Sequence, residues 1–296
     1  MRLGVVLDGP AGPDLVAEAA AADRVGLDLV WVAATDRDGA RRDATVVAAA
    51  LTRVVRDAAV VVEAHPHQHP LELAEKLAVT DLLLAGRLTV AFTGPAGSAG
   101  PGAGSTVEPG PGAVGEAADD GVAEGIEVTL AGLSPLPFRH AGPHWTFPAP
   151  GSPDLLRVTP APAQLAMDAW AVGAGLAEVA GRHGLALVAA DGEPLPPAGP
   201  ARWPRIALRS FDVPADPGPA GTAATAEVVA ALAAERDRAG LGICAVRLPA
   251  ADPGRRLGAV EVLGARVRPQ LLLPRPDGDL VDSWSLPASA HLEDQP

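Results

Sequence analysis

Three observations predict an α/β fold, a single (β/α)8 barrel of the TIM type. Short β-branched runs alternate with longer helical stretches along most of the chain. The runs are almost continuously apolar, as strands of a parallel sheet covered by helices must be. Glycines at 26, 86, 184 and 240 stand where a helix has to stop before the next strand. A length of 296 residues suits one large barrel. An open doubly wound sheet is the competing architecture.

Residues 3–7 read as the first buried strand. Asp14 is placed to cap a helix that carries Leu15, Ala19, Ala22 and Val25 on one face, and Gly26 stops it. Residues 27–32 form the second strand. Asp43 caps a helix with Val47, Ala50, Leu51 and Val54, and 58–62 is the third strand. Pro70 opens a helix continued by Leu73, Leu77 and Leu84, ahead of a fourth strand over 88–92. The rhythm resumes with strands at 169–172, 185–189, 206–213 and 243–248, and with helices starting near Ala174, Thr225 and Asp252–Pro253.

Two stretches break this pattern. Residues 94–115 are rich in Gly, Pro, Ala and Ser and read as a loop after the fourth strand. Residues 191–204 hold several prolines where an outer helix belongs, so the sixth β/α unit is expected to be shortened. The barrel should then occupy 1–272, with a tail over 273–296 that carries Trp284 as a possible anchor.

Composition limits function. The net charge of −13, from 23 Lys+Arg against 36 Asp+Glu, argues against nucleic acid or an anionic membrane as the main partner. The single cysteine, Cys244, lies in an apolar run and reads as a buried, inert thiol. No apolar run reaches the ~20 residues that span a bilayer. The start of the chain meets Asp8, Gly9 and Pro10 too early for a signal-peptide core. The expectation is a cytoplasmic protein.

Four blocks then point to a family. Residues 17–32 resemble the first helix and second strand of the bacterial-luciferase-like flavin-dependent oxidoreductases and monooxygenases. Thr52–Arg53, the strand at 58–62, His69–Pro70–Leu71–Glu72–Leu73–Ala74–Glu75, Asp81–Leu82–Leu83 and Gly86–Arg87–Leu88 follow that family in order. A third block runs from Phe138 through Trp145 and from Val158 to Gln164. A fourth covers 242–271 and ends in Val267–Arg268–Pro269. The resemblance implies reduced FMN, or alternatively F420, held at the C-terminal mouth of the barrel. It also implies a small organic substrate, a possible flavin reductase partner, and a homo- or heterodimer formed through the early helices.

Mapped residue by residue, the resemblance leaves a partial site. The expected cofactor-binding positions are Asp8, Ala64, His65, Thr93, Gly173, Ala174 and Gly175. No catalytic residue is assigned. Where the family has a histidine after the second strand, this chain has Ala33–Ala34–Thr35–Asp36. The turn after the fourth strand lacks an arginine, and Gly173–Ala174–Gly175 lacks a serine. Arg87 does not substitute, because it starts its strand on the opposite face. The run His65–Pro66–His67–Gln68–His69 spaces three imidazoles two apart, but proline and loop geometry oppose a metal site. His140 and His144 flank Trp145 and read as parts of a packed aromatic turn. The alternative to an enzyme is a cofactor-poor, non-catalytic barrel acting as a partner subunit or binding protein.

Overall fold

A computed structural model describes residues 1–65, 68–94, 115–196, 204–215, 218–249 and 252–272. In chain order the barrel strands are β1 (Arg2–Leu7), β2 (Leu29–Val32), β3 (Ala59–Ala64), β4 (Leu88–Thr93), β7 (Asp168–Val172), β8 (Ala186–Ala189), β9 (Arg205–Ser210) and β10 (Leu241–Arg247). They close as β1-β10-β9-β8-β7-β4-β3-β2, with every pair parallel. The fold class is the one the alternation predicts.

The outer layer is α1 (Pro13–Arg24), α2 (Ala44–Leu51), α3 (Pro70–Leu83), α4 (Gly115–Leu133), α5 (Ala177–His183), α6 (Pro219–Ala239), α7 (Pro253–Val262) and α8 (Arg268–Leu271). A 3-10 turn, Ala174–Leu176, precedes α5, and one π-helical turn, Leu263–Val267, joins α7 to α8. Asp43 caps α2 as expected, its side chain accepting from the Thr45 amide at 3.1 Å. Between β8 and β9 none of the described residues, 190–196 and 204, is helical.

Several boundaries differ from the sequence reading. Helix α1 is capped by Gly12, with Pro13 in its first turn, so Asp14 lies inside the helix rather than at its cap. Helix α6 likewise starts at Pro219, six residues before Thr225. Proline explains both, because the first helical position needs no amide and its φ is already set. Strand β3 continues through Ala64, and β9 ends at Ser210 rather than at 213. The strand–helix reading assigned neither α4 nor the hairpin of β5 (His140–Ala141) and β6 (Thr146–Phe147). Residues 95–114 and 273–296, with Trp284, lie outside the described residues.

Two apolar layers result. The larger packs helices onto the outside of the strands; the other fills the barrel with Val6, Leu29, Trp31, Val61, Ala91, Trp170, Val188, Leu208 and Ala245. Each fully buried Val, Leu, Ile or Phe contributes about 1.5–3 kcal/mol. Trp31 and Trp170 meet in the middle with centroids 5.8 Å apart. Below them Gly4 gives Leu29 its space, since a Cβ there would lie 2.3 Å from the leucine side chain.

The N-terminal face is sewn by polar clamps drawn from the family-like blocks. Asp28 accepts from the Leu3 amide at 2.9 Å and from Arg268 at 2.8 and 3.0 Å, tying β1 to α8. Asp23 accepts three amides, those of Arg56, Asp57 and Ala58. Buried Asp81 takes the amide and side-chain amide of Gln164 at 3.0 and 2.8 Å. Arg87 donates to Ala58 O and Val55 O at this end, far from the mouth.

Candidate functional site

Side chains alternate inward and outward along each strand. Because Val6, Trp31, Val61, Ala91, Val188, Leu208 and Ala245 fill the barrel, the next inward positions at the C-terminal end are Asp8, Ala33, Glu63, Thr93, Ala190, Ser210 and Arg247. His65, two residues beyond Glu63, continues the same face. This ring forms the rim of the mouth, and the paired indoles lie beneath it.

On the β2–β4 side the polar groups are held. Glu63 accepts from the Trp31 indole at 2.8 Å and from the Ala34 amide at 2.9 Å. His65 Nδ1 shares a hydrogen bond of 2.7 Å with Thr93 Oγ1, so two of the expected site residues meet. Ala64 is buried beside them. Asp36 closes its own turn by accepting from the amides of Asp38 and Ala40. Arg42 reaches over the ends of β1 and β2 and donates to the carbonyls of Ala33, Leu7 and Gly9.

Asp8 lies at the β1–β10 corner, apart from that group. It is 7% exposed and 3.0 Å from Arg256. Arg256 is itself buried and reaches Glu18 at 2.8 and 3.1 Å and Leu248 O at 2.9 Å. Burial pushes the Glu18 carboxyl above its ordinary range although Arg256 opposes this. Burial also works against the Arg256 charge, but Glu18 and Asp8 more than offset it and raise its pKa. Arg247 is 3.7 Å from the far oxygen of Asp8. Sequence reasoning found Asp8 but missed Glu18, Arg256 and Arg247, whose meeting needs residues about 240 apart.

Gly173, Ala174 and Gly175 form the turn after β7, across the mouth from β1. Gly173 has φ +87°, a conformation that L side chains rarely adopt. The amides here do not stand open. Glu193 folds back from the short β8–β9 connection and accepts from Ala190 N at 3.0 Å and, more weakly, from Ala174 N at 3.5 Å. Its carboxylate therefore sits where an incoming phosphate would look for donors. Beside it, Asp191 accepts from the Ser210 amide and hydroxyl.

The hairpin packs over the start of α3. His69 lies edge-on to Trp145 at 5.0 Å and to Phe147 at 5.5 Å. Glu124 of α4 anchors it by accepting from His140 Nε2 at 2.9 Å, His144 N at 2.9 Å and Trp145 N at 2.8 Å. Burial alone would raise the Glu124 pKa, but these three donors win and hold it below the ordinary range. The Gly142 backbone passes so close that a Cβ would lie 2.1 Å from Glu124. Among the described residues no group of three His, Cys, Asp or Glu side chains is placed to hold a metal ion; His67 lies outside them.

No protein-family model matches the chain. No curated protein matches it either. Solved structures do. The monooxygenase RslO1 from Streptomyces bottropensis superposes with a TM-score of 0.69 at 17% identity, over 92% of this chain and 100% of that one. The oxygenating constituent of 3,6-diketocamphane monooxygenase from Pseudomonas putida, in complex with FMN, gives 0.65 at 16%, over 93% and 99%. An F420-dependent secondary alcohol dehydrogenase in complex with an F420–acetone adduct gives 0.62 at 16%, over 90% and 99%. What these structures share with the chain is the closed β/α barrel. At such identities the likeness extends to the backbone, and the chemistry has to be argued from the residues at the mouth.

Proposed function

We propose that this barrel is a flavin-dependent oxidoreductase or monooxygenase that handles a small organic substrate at its mouth, with FMN or, alternatively, F420. The observation that carries this reading is the mouth itself, whose rim pairs His65 with Thr93 above the buried indoles of Trp31 and Trp170. At the Gly173–Gly175 turn Glu193, 3.5 Å from the Ala174 amide, would compete with the phosphate of an FMN.

When bound, the cofactor supplies hydride transfer or oxygen activation. The chain's own part is to seat the ring against His65 and Thr93 and to keep Glu63 locked on Trp31, while Ala64 packs on the helix side of β3. Reduced cofactor would come from a separate reductase, in keeping with the neighbour described as an oxygenating constituent.

We further propose a dimer through the early helices. Lys76 of α3 bonds Asp43 at the cap of α2 at 3.1 Å, which joins the two helices. Val46, Val79, Leu82 and Leu83 are 64, 40, 46 and 55% exposed, an apolar stripe that a second subunit would cover. Leu82→Asp should give a monomer by light scattering; an unchanged dimer places the interface elsewhere, and a monomeric wild type ends the proposal.

A fluorescence titration with FMN, reduced FMN and F420 tests the main reading. Quenching of the indoles at micromolar cofactor is expected. Absence of binding for all three at high micromolar concentration refutes it and leaves the non-catalytic binding barrel.

A further inference from the structure

The guanidiniums around the mouth are unequally engaged. Arg256 is buried on Glu18, and Arg42 donates to three carbonyls. Arg247 differs. It ends β10 on the inward face, its side chain is 36% exposed, and its ion pair with Asp8 is long, at 3.7 Å. Its Nε is enclosed with no hydrogen-bond partner among the described residues. Asp8 has a second cation in Arg256, 3.0 Å away, so it keeps an ion pair when Arg247 turns to another acid. Across the mouth the charge has the opposite sign, because the Glu193 carboxylate covers the turn after β7.

We propose that the mouth takes an anionic group, a carboxylate or a phosphate, and that Arg247 on the β10 side holds it in place of the turn after β7. A planar guanidinium receives either group through two parallel hydrogen bonds, which fixes orientation as well as charge. Glu193 repels an acid from the other side, so a ligand carrying one enters with its acid toward β10. The proposal rests on the mouth being the ligand site, as argued above, but not on the ligand being a flavin.

The test uses the full chain with four probes: riboflavin and FMN, which share a ring and differ by a phosphate, and the anions benzoate and inorganic phosphate. Binding is read by indole quenching and by the shift of the thermal midpoint. In wild type at least one anionic probe should bind; Arg247→Gln should weaken it ten-fold or more, Arg247→Lys less, and Glu193→Gln should not weaken it. A preference for FMN over riboflavin that vanishes in R247Q assigns the acid to the cofactor phosphate. Equal binding of the two flavins, with benzoate or phosphate dependent on Arg247, assigns it to the substrate. If neither flavin binds but an anion does through Arg247, the flavin reading falls and this proposal stands.

The proposal is overturned if R247Q, with an unchanged near-ultraviolet circular dichroism spectrum, binds every probe as wild type does. It is equally overturned if no anionic probe binds, or if Glu193→Gln weakens anion binding as much as R247Q. Should R247Q not fold, R247K decides: unchanged anion affinity and an unchanged FMN-to-riboflavin ratio refute the two-bond role.

Discussion

Replacing Arg256 by methionine should remove a large part of the stability of the barrel. The side chain is 2% exposed and ties α7 to α1 through Glu18 at 2.8 and 3.1 Å and to Leu248 O at 2.9 Å. Methionine fills much of the volume but leaves the Glu18 and Asp8 carboxylates, 5 and 7% exposed, without their main partner. Breaking a buried ion pair from one side costs about 3–5 kcal/mol, against a total of about 5–15 kcal/mol for an ordinary domain.

The pH dependence has a definite sign. The Glu18 carboxyl is already raised by burial, so its stabilising contribution is complete below the unfolded pKa and is lost as pH rises through the folded one. Without Arg256 the folded pKa rises further, and each additional unit adds about 1.4 kcal/mol of loss. Urea unfolding at pH 5 and pH 8 measures both effects, and the cost should be larger at pH 8. Adding Glu18→Gln to Arg256→Met should recover at least half of it. A cost under about 1 kcal/mol at pH 8, or a larger cost at pH 5, would refute the argument that this pair is a buried, mutually dependent unit.

Three further outcomes follow from named contacts. Glu124, with its lowered pKa, stabilises above the ordinary carboxylate range, and that stability is lost as pH falls through its folded value. Glu124→Gln should therefore flatten the acid limb of a thermal-midpoint profile and cost about 1.5–3 kcal/mol at pH 7. Asp81→Ala strands the Gln164 amide, leaving its side chain only the Leu88 carbonyl, and should cost on the order of 3 kcal/mol in urea unfolding, whereas a near-neutral result would mean that water replaces the carboxylate. The Cys244 thiol, pushed up to about 12 by burial, should react with a disulfide reagent only on unfolding; rapid labelling of the native protein would contradict its placement.

The signals legible in the sequence were local ones. The apolar runs at β1 to β4, the Asp43 cap and the glycine stops at 26, 86, 184 and 240 depend on near neighbours, and they appear where they were read. Helix α4 is missed: Val122, Ile126 and Leu133 share one face, but the glycines and acids between them dilute the pattern. Many of the residues that carry the family resemblance, among them Asp23, Asp28, Asp81, Arg87, Gln164 and Arg268, act as clamps on the N-terminal face. They report how the barrel is held together and say nothing of what it binds.

The sequence by itself determined the barrel and its strand count, because period, β-branching and punctuation are properties of contiguous residues. Only the tertiary structure decided the mouth. It brought Glu18 and Arg256 together across 238 positions, set His65 on Thr93 across 28, and folded Glu193 back onto the turn at Ala174. Charge partners chosen by strand closure leave no periodic trace in the chain. The approach of Arg247 to Asp8 could therefore be read only once β10 had closed against β1.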